Sequence, residues 1–176
     1  MYFAPHMYWN PDAAYGMAPA YQKMPMHGHS YPWGLLNEDW TYKDYGKRPF
    51  VTNIHQAASR NRAFRRAIWT GKHLQVTLMS IEVGEDIGLE MHPRVDQFLR
   101  IEQGQGIVQM GQTKTNLNFT RRVSKDDAIF VPAGMWHNVI NVGYMPLKLY
   151  SIYAPPEHPF GTVHATKAEA MAAEHS

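Results

Sequence analysis

From residue 67 to residue 155 the chain is a succession of short apolar runs, each broken by a turn signal. The runs are "LQVTLMSIEV", "QFLRIEQ", "GIVQMG", "LNFTRRV", "AIFVP", "HNVINVG" and "LKLYSIYA". Their Val, Ile, Phe and Tyr content suits strands, and the intervening Gly, Asn and Asp suit tight connections between antiparallel neighbours. Seven or more such strands in about a hundred residues imply an all-β sandwich or barrel. The residues expected to fill its interior include Leu78, Ile81, Leu99, Ile101, Phe130, Val131 and Leu149.

The flanks have a different character. Residues 1–49 are rich in Tyr, Met, Pro, His and Gly and keep no periodicity long enough to fold alone, so a flexible, disordered arm is expected there, followed by one domain over 50–176. The arm's aromatics, among them Tyr8, Trp9, Tyr31 and Trp33, suit adhesion to a surface or to other chains, or draping over the arm's own domain. His27 and His29 form a short tract able to catch a metal. In "NIHQAASRNRAFRRA", Asn53 is an N-cap candidate with Gln56 three residues on, and Ala and Arg content favours a short helix. Arg60, Arg62, Arg65 and Arg66 read as the solvated face of that helix, or as a phosphate-facing patch. Near the C-terminus Thr166 and Glu169 pair as a capping box ahead of an Ala-rich helix.

The net charge is +2, too small to call for a nucleic-acid or membrane partner, and neither is expected. The beginning lacks the pattern of an export signal and no stretch reaches membrane-spanning length, so a cytoplasmic protein is expected. With no cysteine, any metal must be held by nitrogen and oxygen donors, and ten histidines supply the nitrogen.

The segment "GLEMHPRVDQFLR" places Glu90 and His92 two apart, hence on one face of an extended chain, about 6 to 7 Å apart along the backbone. Both can lean toward one ion. Gln97 would join them from the next strand, after a turn at 93–96, and His137 in "VPAGMWHNVIN" would arrive from a neighbouring pair behind a Pro and Gly turn. The competing interpretation is a hydrogen-bonded polar cluster without a metal.

These residues carry a family resemblance. Residues 84–141 resemble the two motifs of the cupin superfamily. The first, GxxxxxHxHxxxxExxxxxxG, is matched in spacing by Gly84, Glu90, His92, Gln97 and Gly104; the second, GxxxxxPxGxxHxxxN, by Asp126, Pro132, Gly134, His137 and Asn141. Glu90 stands where the first histidine is usual, Gln97 where the glutamate is usual, and Asp126 where a glycine is usual. Moving the carboxylate to position 90 leaves the charge offered to a divalent ion unchanged. Gln97 brings a neutral carbonyl, a weak ligand or a partner for metal-bound water.

The resemblance implies a double-stranded β-helix, the cupin jelly-roll barrel, with motifs at 84–104 and 126–141 and one divalent ion at Glu90, His92, Gln97 and His137. Zinc, manganese, iron and nickel all suit such donors. The strand around Glu90 is also similar to that of mannose-6-phosphate isomerase-type cupins, which implies Lewis-acid chemistry on a small polar substrate such as a sugar or sugar phosphate. Arg94 and Arg100 are candidates to meet a phosphate, with outward-facing strand charges the simpler reading. Two histidines and a carboxylate equally resemble the facial triad of non-haem iron oxygenases. A third reading is non-enzymatic: a cupin module tethered by its arm to an assembly such as a spore coat. Small cupins commonly pair through sheet edges, which implies a homodimer. His158 and His164 would line the pocket or, given Pro155, Pro156 and Pro159, sit in a rigid crossing loop.

Overall fold

The structure, a computed structural model, describes residues 43–174, which belong to the second of two compact units, Leu36–Ser176. His27, His29 and the greater part of the expected arm lie outside the described residues. The elements run α1 (Ile54–Arg60), β1 (Arg65–Thr70), β2 (Gln75–Ile81), β3 (Asp96–Gln103), β4 (Gln105–Gly111), β5 (Phe119–Ser124), β6 (Ala128–Val131), β7 (Trp136–Asn141), β8 (Leu147–Ala154), β9 (Val163–His164) and α2 (Lys167–Glu174). The strands form two antiparallel sheets, six strands in the order β6-β3-β8-β2-β1-β9 and three in the order β5-β4-β7. This is the expected all-β jelly roll, and each of the seven runs read from the sequence supplies one of β2 to β8.

The period-two alternation of the strands builds the interior. Leu99 and Ile101 on β3 and Leu149 on β8 turn toward Val108, Val123 and Val139 of the three-stranded sheet, all of them under 9% exposed. Phe130 does not join them. On β6 it is Ile129 and Val131 that face inward, so Phe130 is 70% exposed and packs edge-on against its cross-strand partner Phe98 on the outer face. The short strand gave no reason to choose one parity over the other. Leu78 is buried, but on the opposite face of the six-stranded sheet, with Ile68 beneath Ala57 and Ala58 of α1.

The helix is shorter than its composition suggests. Asn53 caps it, its side chain accepting the Gln56 N–H at 3.0 Å, but it ends at Arg60, and Arg65 and Arg66 belong to β1. Neither arginine is on a solvated helix face; Arg65 is fully buried. At the other end Thr166 Oγ1 accepts the Glu169 N–H, while the Glu169 carboxylate accepts from Ala165, one residue earlier than a standard capping box.

The last residues of the segment expected as an arm lie against the domain. Asp44 is buried and accepts hydrogen bonds from Thr70 Oγ1 at 2.6 Å and the Gly161 N–H at 3.0 Å, and the Tyr45 N–H donates to Ile68 O at 2.8 Å.

Candidate metal centre

The backbone brings the two motifs together. Residues 86–90 run antiparallel to β7, with Asp86 opposite Ile140 and Glu90 opposite His137, and bend between those two pairs at Gly88, whose φ is +92°. The Glu90 N–H donates to His137 O at 3.1 Å and the His137 N–H to Glu90 O at 2.9 Å. Two residues on, the Gly134 N–H donates to His92 O at 2.8 Å, which ties the turn before β7 to the first motif. Gly134 has φ +79°, a conformation an L side chain resists, and that turn is what aims β7 back along residues 86–90.

The side chains follow. Glu90 Oε1 stands 3.4 Å from His92 Nε2 and 3.3 Å from His137 Nε2, and one donor atom from each of the three lies within 4.8 Å of the other two. All three atoms are buried and none has a hydrogen-bond partner among the described residues. Buried polar atoms are normally satisfied, so three unsatisfied ones pointing at a common space are what a cation would complete. Two imidazole nitrogens and one carboxylate oxygen fit a borderline divalent ion such as zinc, manganese, iron or nickel.

Each of the three has an outer partner that sets its orientation. His137 Nδ1 lies 3.1 Å from Met135 O; only a protonated Nδ1 can bond there, which leaves the Nε2 lone pair facing the cluster. His92 Nδ1 lies 3.1 Å from Glu157 Oε1, and Glu90 Oε2 is 3.4 Å from Arg65 Nη2. Burial pushes the Glu90 carboxyl up, but the His137 and His92 nitrogens and the Arg65 charge outweigh it and hold the group well below the usual carboxylate range. Burial pulls His92 down, and Glu90 and Glu157 together outweigh that and raise it.

Gln97 is on β3 and 3% exposed; its amide nitrogen donates to Ser151 Oγ at 3.0 Å, leaving Oε1 buried without a partner. Tyr153, opposite Gln97 on β8, stands edge-on to His92 with ring centroids 5.7 Å apart, and burial pushes its hydroxyl up to about 12. Beside the cluster opens a cavity of about 580 Å³ whose lining includes Glu90, His92, Arg65, Glu157, His158 and His164. The crossing loop thus contributes His158 to the pocket, and β9 contributes His164. Arg94 is exposed and outside this lining, and Arg100 is engaged by Glu102 and Asp126, so both face outward from their strand region.

Two site residues were not anticipated. Arg65 falls in an Ala- and Arg-rich stretch that suits a helix face, and nothing in "AFRRA" shows that a carboxylate 25 positions later lies beside it. Glu157 had only its place in a Pro-rich loop beside His158 as a signal.

A barrel of two antiparallel sheets, with a buried pair of histidines and a carboxylate carried by the segments flanking its turns, defines a small single-barrel protein with a candidate metal site. The comparisons name the class. The Cupin domain family matches residues 77–153. The chain is 57% identical to the uncharacterized protein YrkC of Bacillus subtilis (strain 168) over 96% of this chain and 100% of that one. A Bacillus halodurans protein of solved crystal structure, BH2720, is 68% identical, with a TM-score of 0.73 over 74% of this chain and 98% of that one. A double-stranded β-helix domain protein of Klebsiella pneumoniae, at 16% identity and a TM-score of 0.52 over 68% of this chain and all of that one, shares the fold. This chain belongs to the cupin superfamily. Among the described residues no helix is long and apolar enough to cross a membrane.

Proposed function

We propose that this protein binds one divalent metal ion through Glu90, His92 and His137 and presents it to a small oxygen-rich molecule in the adjoining cavity. The observation that carries the reading is the trio of buried, unpartnered donor atoms converging on one point. Gln97 Oε1, also buried and unpartnered, is the fourth donor we assign to the centre, as a direct ligand or through a bound water.

The ion would supply Lewis acidity to a carbonyl or hydroxyl. The protein's own residues do the rest: Glu157 and the Met135 carbonyl orient the two imidazoles, Arg65 steadies the Glu90 carboxylate, and Leu89, Met91 and Trp136 on the cavity wall limit access of water. A sugar or other small hydroxylated molecule suits a cavity of about 580 Å³. A phosphate on that substrate finds less support, since Arg94 and Arg100 face away and Arg65 is committed to Glu90.

The donor set itself favours a second reading, the facial triad of non-haem iron, in which the same residues would serve an oxygenase. Elemental analysis of protein purified without added metal, repeated for Glu90→Ala and His137→Ala, tests the centre. One equivalent of metal in the wild type and a loss in both variants is expected; equal content in all three removes it. Activity that requires ferrous iron and oxygen selects the second reading, and sufficiency of zinc or manganese the first.

A further inference from the structure

Beyond the three converging donors, one more histidine of the cavity is held with unusual firmness. His158 follows β8 in the loop over 155–162. Gln75 on β2, itself fully buried, grips its backbone from both sides: Gln75 Nε2 donates to His158 O at 2.9 Å, and Gln75 Oε1 accepts the His158 N–H at 2.9 Å. The His158 ring stands edge-on against Tyr153, centroids 5.0 Å apart at 86°. Backbone and ring are therefore both fixed. His158 lines the cavity, and its Nε2 is buried with no hydrogen-bond partner among the described residues.

Donors sharing one ion at about 2.0 to 2.2 Å cannot lie much more than about 4.4 Å apart. Among the described histidines and carboxylates Glu90, His92 and His137 form a group with donor atoms within 4.8 Å of one another, and His158, which shares the cavity lining with Glu90 and His92, is not part of it. A histidine on the wall of that cavity but outside the donor group is placed to meet what an ion carries rather than the ion. Burial, with the Arg65 charge next in weight, pushes the His158 imidazole down to about 3, so near neutral pH it is uncharged and Nε2 is open to a single directed hydrogen bond.

We propose that His158 hydrogen-bonds, through Nε2, an oxygen ligand carried at the open position of the Glu90, His92 and His137 centre, and so selects small hydroxylated or carboxylated molecules bound there. The inference rests on the metal-binding reading above and adds the residue that recognises the ligand. His158 is in this role a ligand-binding residue and not a metal ligand, which separates its expected behaviour from that of the three donors.

The test uses the full chain loaded with cobalt(II), with glycolate as the probe because it offers both a hydroxyl and a carboxylate. Cobalt affinity and glycolate affinity are followed by visible absorption in the wild type, His158→Ala and His158→Gln. Gln75 holds only the backbone of residue 158, so both variants keep the loop's anchorage. Cobalt affinity is expected to stay within about threefold in both variants, while glycolate affinity falls roughly tenfold in His158→Ala and recovers in part in His158→Gln. A fall in cobalt affinity of tenfold or more makes His158 a metal ligand and overturns the assignment. Glycolate affinity equal in all three proteins, including none in any, overturns it too. A wild type that takes up no cobalt removes the metal centre itself, a result read before any glycolate is added.

Discussion

At the scale of single residues the site is organised by partners that lie far apart in sequence. His92 owes its orientation to Glu157, 65 positions later, with Nδ1 and Oε1 3.1 Å apart. A carboxylate behind a ligating imidazole fixes its tautomer and raises its basicity, so Glu157→Ala is expected to weaken zinc binding roughly 10- to 100-fold by calorimetric titration, with Glu157→Gln, which keeps an acceptor but no charge, between the two. An unchanged affinity in both would mean that Glu157 only closes the pocket. Tyr153 gives a pH prediction with a definite sign. Its hydroxyl is raised from 10.0 to about 12, chiefly by burial. Between those values the unfolded chain has lost the proton and the folded one has kept it, so stability is full below pH 10 and declines as pH rises toward 12, by about 3 kcal/mol if the shift is taken whole. Tyr153→Phe should flatten that decline in urea titrations across the range. Glu90, His92 and His137 were legible because spacing fixes which face a residue shares and which turn precedes it. Glu157 and Arg65 were not, because their partners are chosen by strand pairing across the sheets.

At the scale of elements, β2 to β8 were legible for a local reason: β-branched and aromatic runs between turn residues leave little else for the chain to do. β1 was not, since its first residues, Arg65–Ala67, continue the Ala- and Arg-rich run that suits a helix, and Arg65–Thr70 becomes a strand by pairing with β2 on one side and β9 on the other. β9 spans two residues and has no pattern to show. The turn at Asp126 explains a departure from the family motif. Asp126 has φ +75°, the conformation the usual glycine serves, and aspartate is among the few residues that tolerate it. Its carboxylate also accepts from Arg100 Nη2 at 2.7 Å. The domain's edge is another matter of elements, because Asp44 stitches the chain entering the domain to β1 and to the crossing loop. A chain begun at Phe50 loses those bonds and leaves Thr70 Oγ1 without its acceptor. It is expected to unfold at lower urea than one begun at Lys43, by about 2 kcal/mol. Equal midpoints would show that residues 43–49 rest on the domain without supporting it.

At the scale of the whole molecule, the fold and the centre draw on different sources of stability. The interior cluster that joins the two sheets, Leu99, Ile101, Val108, Val139 and Leu149 among it, contains none of the three donors, so the barrel has a hydrophobic reason to fold with or without an ion. That separates it from small domains whose metal substitutes for a core. The donors are nonetheless buried and mutually unsatisfied, and an ion that binds the folded state alone stabilises it by mass action, about 2.7 kcal/mol at a hundred times its dissociation constant. For a domain of this size that is a rise in melting temperature on the order of 10 °C. Chelator-treated protein should therefore still unfold in one cooperative transition, lower than the metal-loaded protein by that amount, and re-addition of zinc or manganese should restore the difference. Glu90→Gln keeps the side chain's shape but not its charge, and it should melt at one temperature whether or not metal is present. A metal-dependent shift that survives in Glu90→Gln and in His137→Ala would place the bound ion elsewhere on the chain, and an apo protein without a cooperative transition would make the ion part of the fold rather than its passenger.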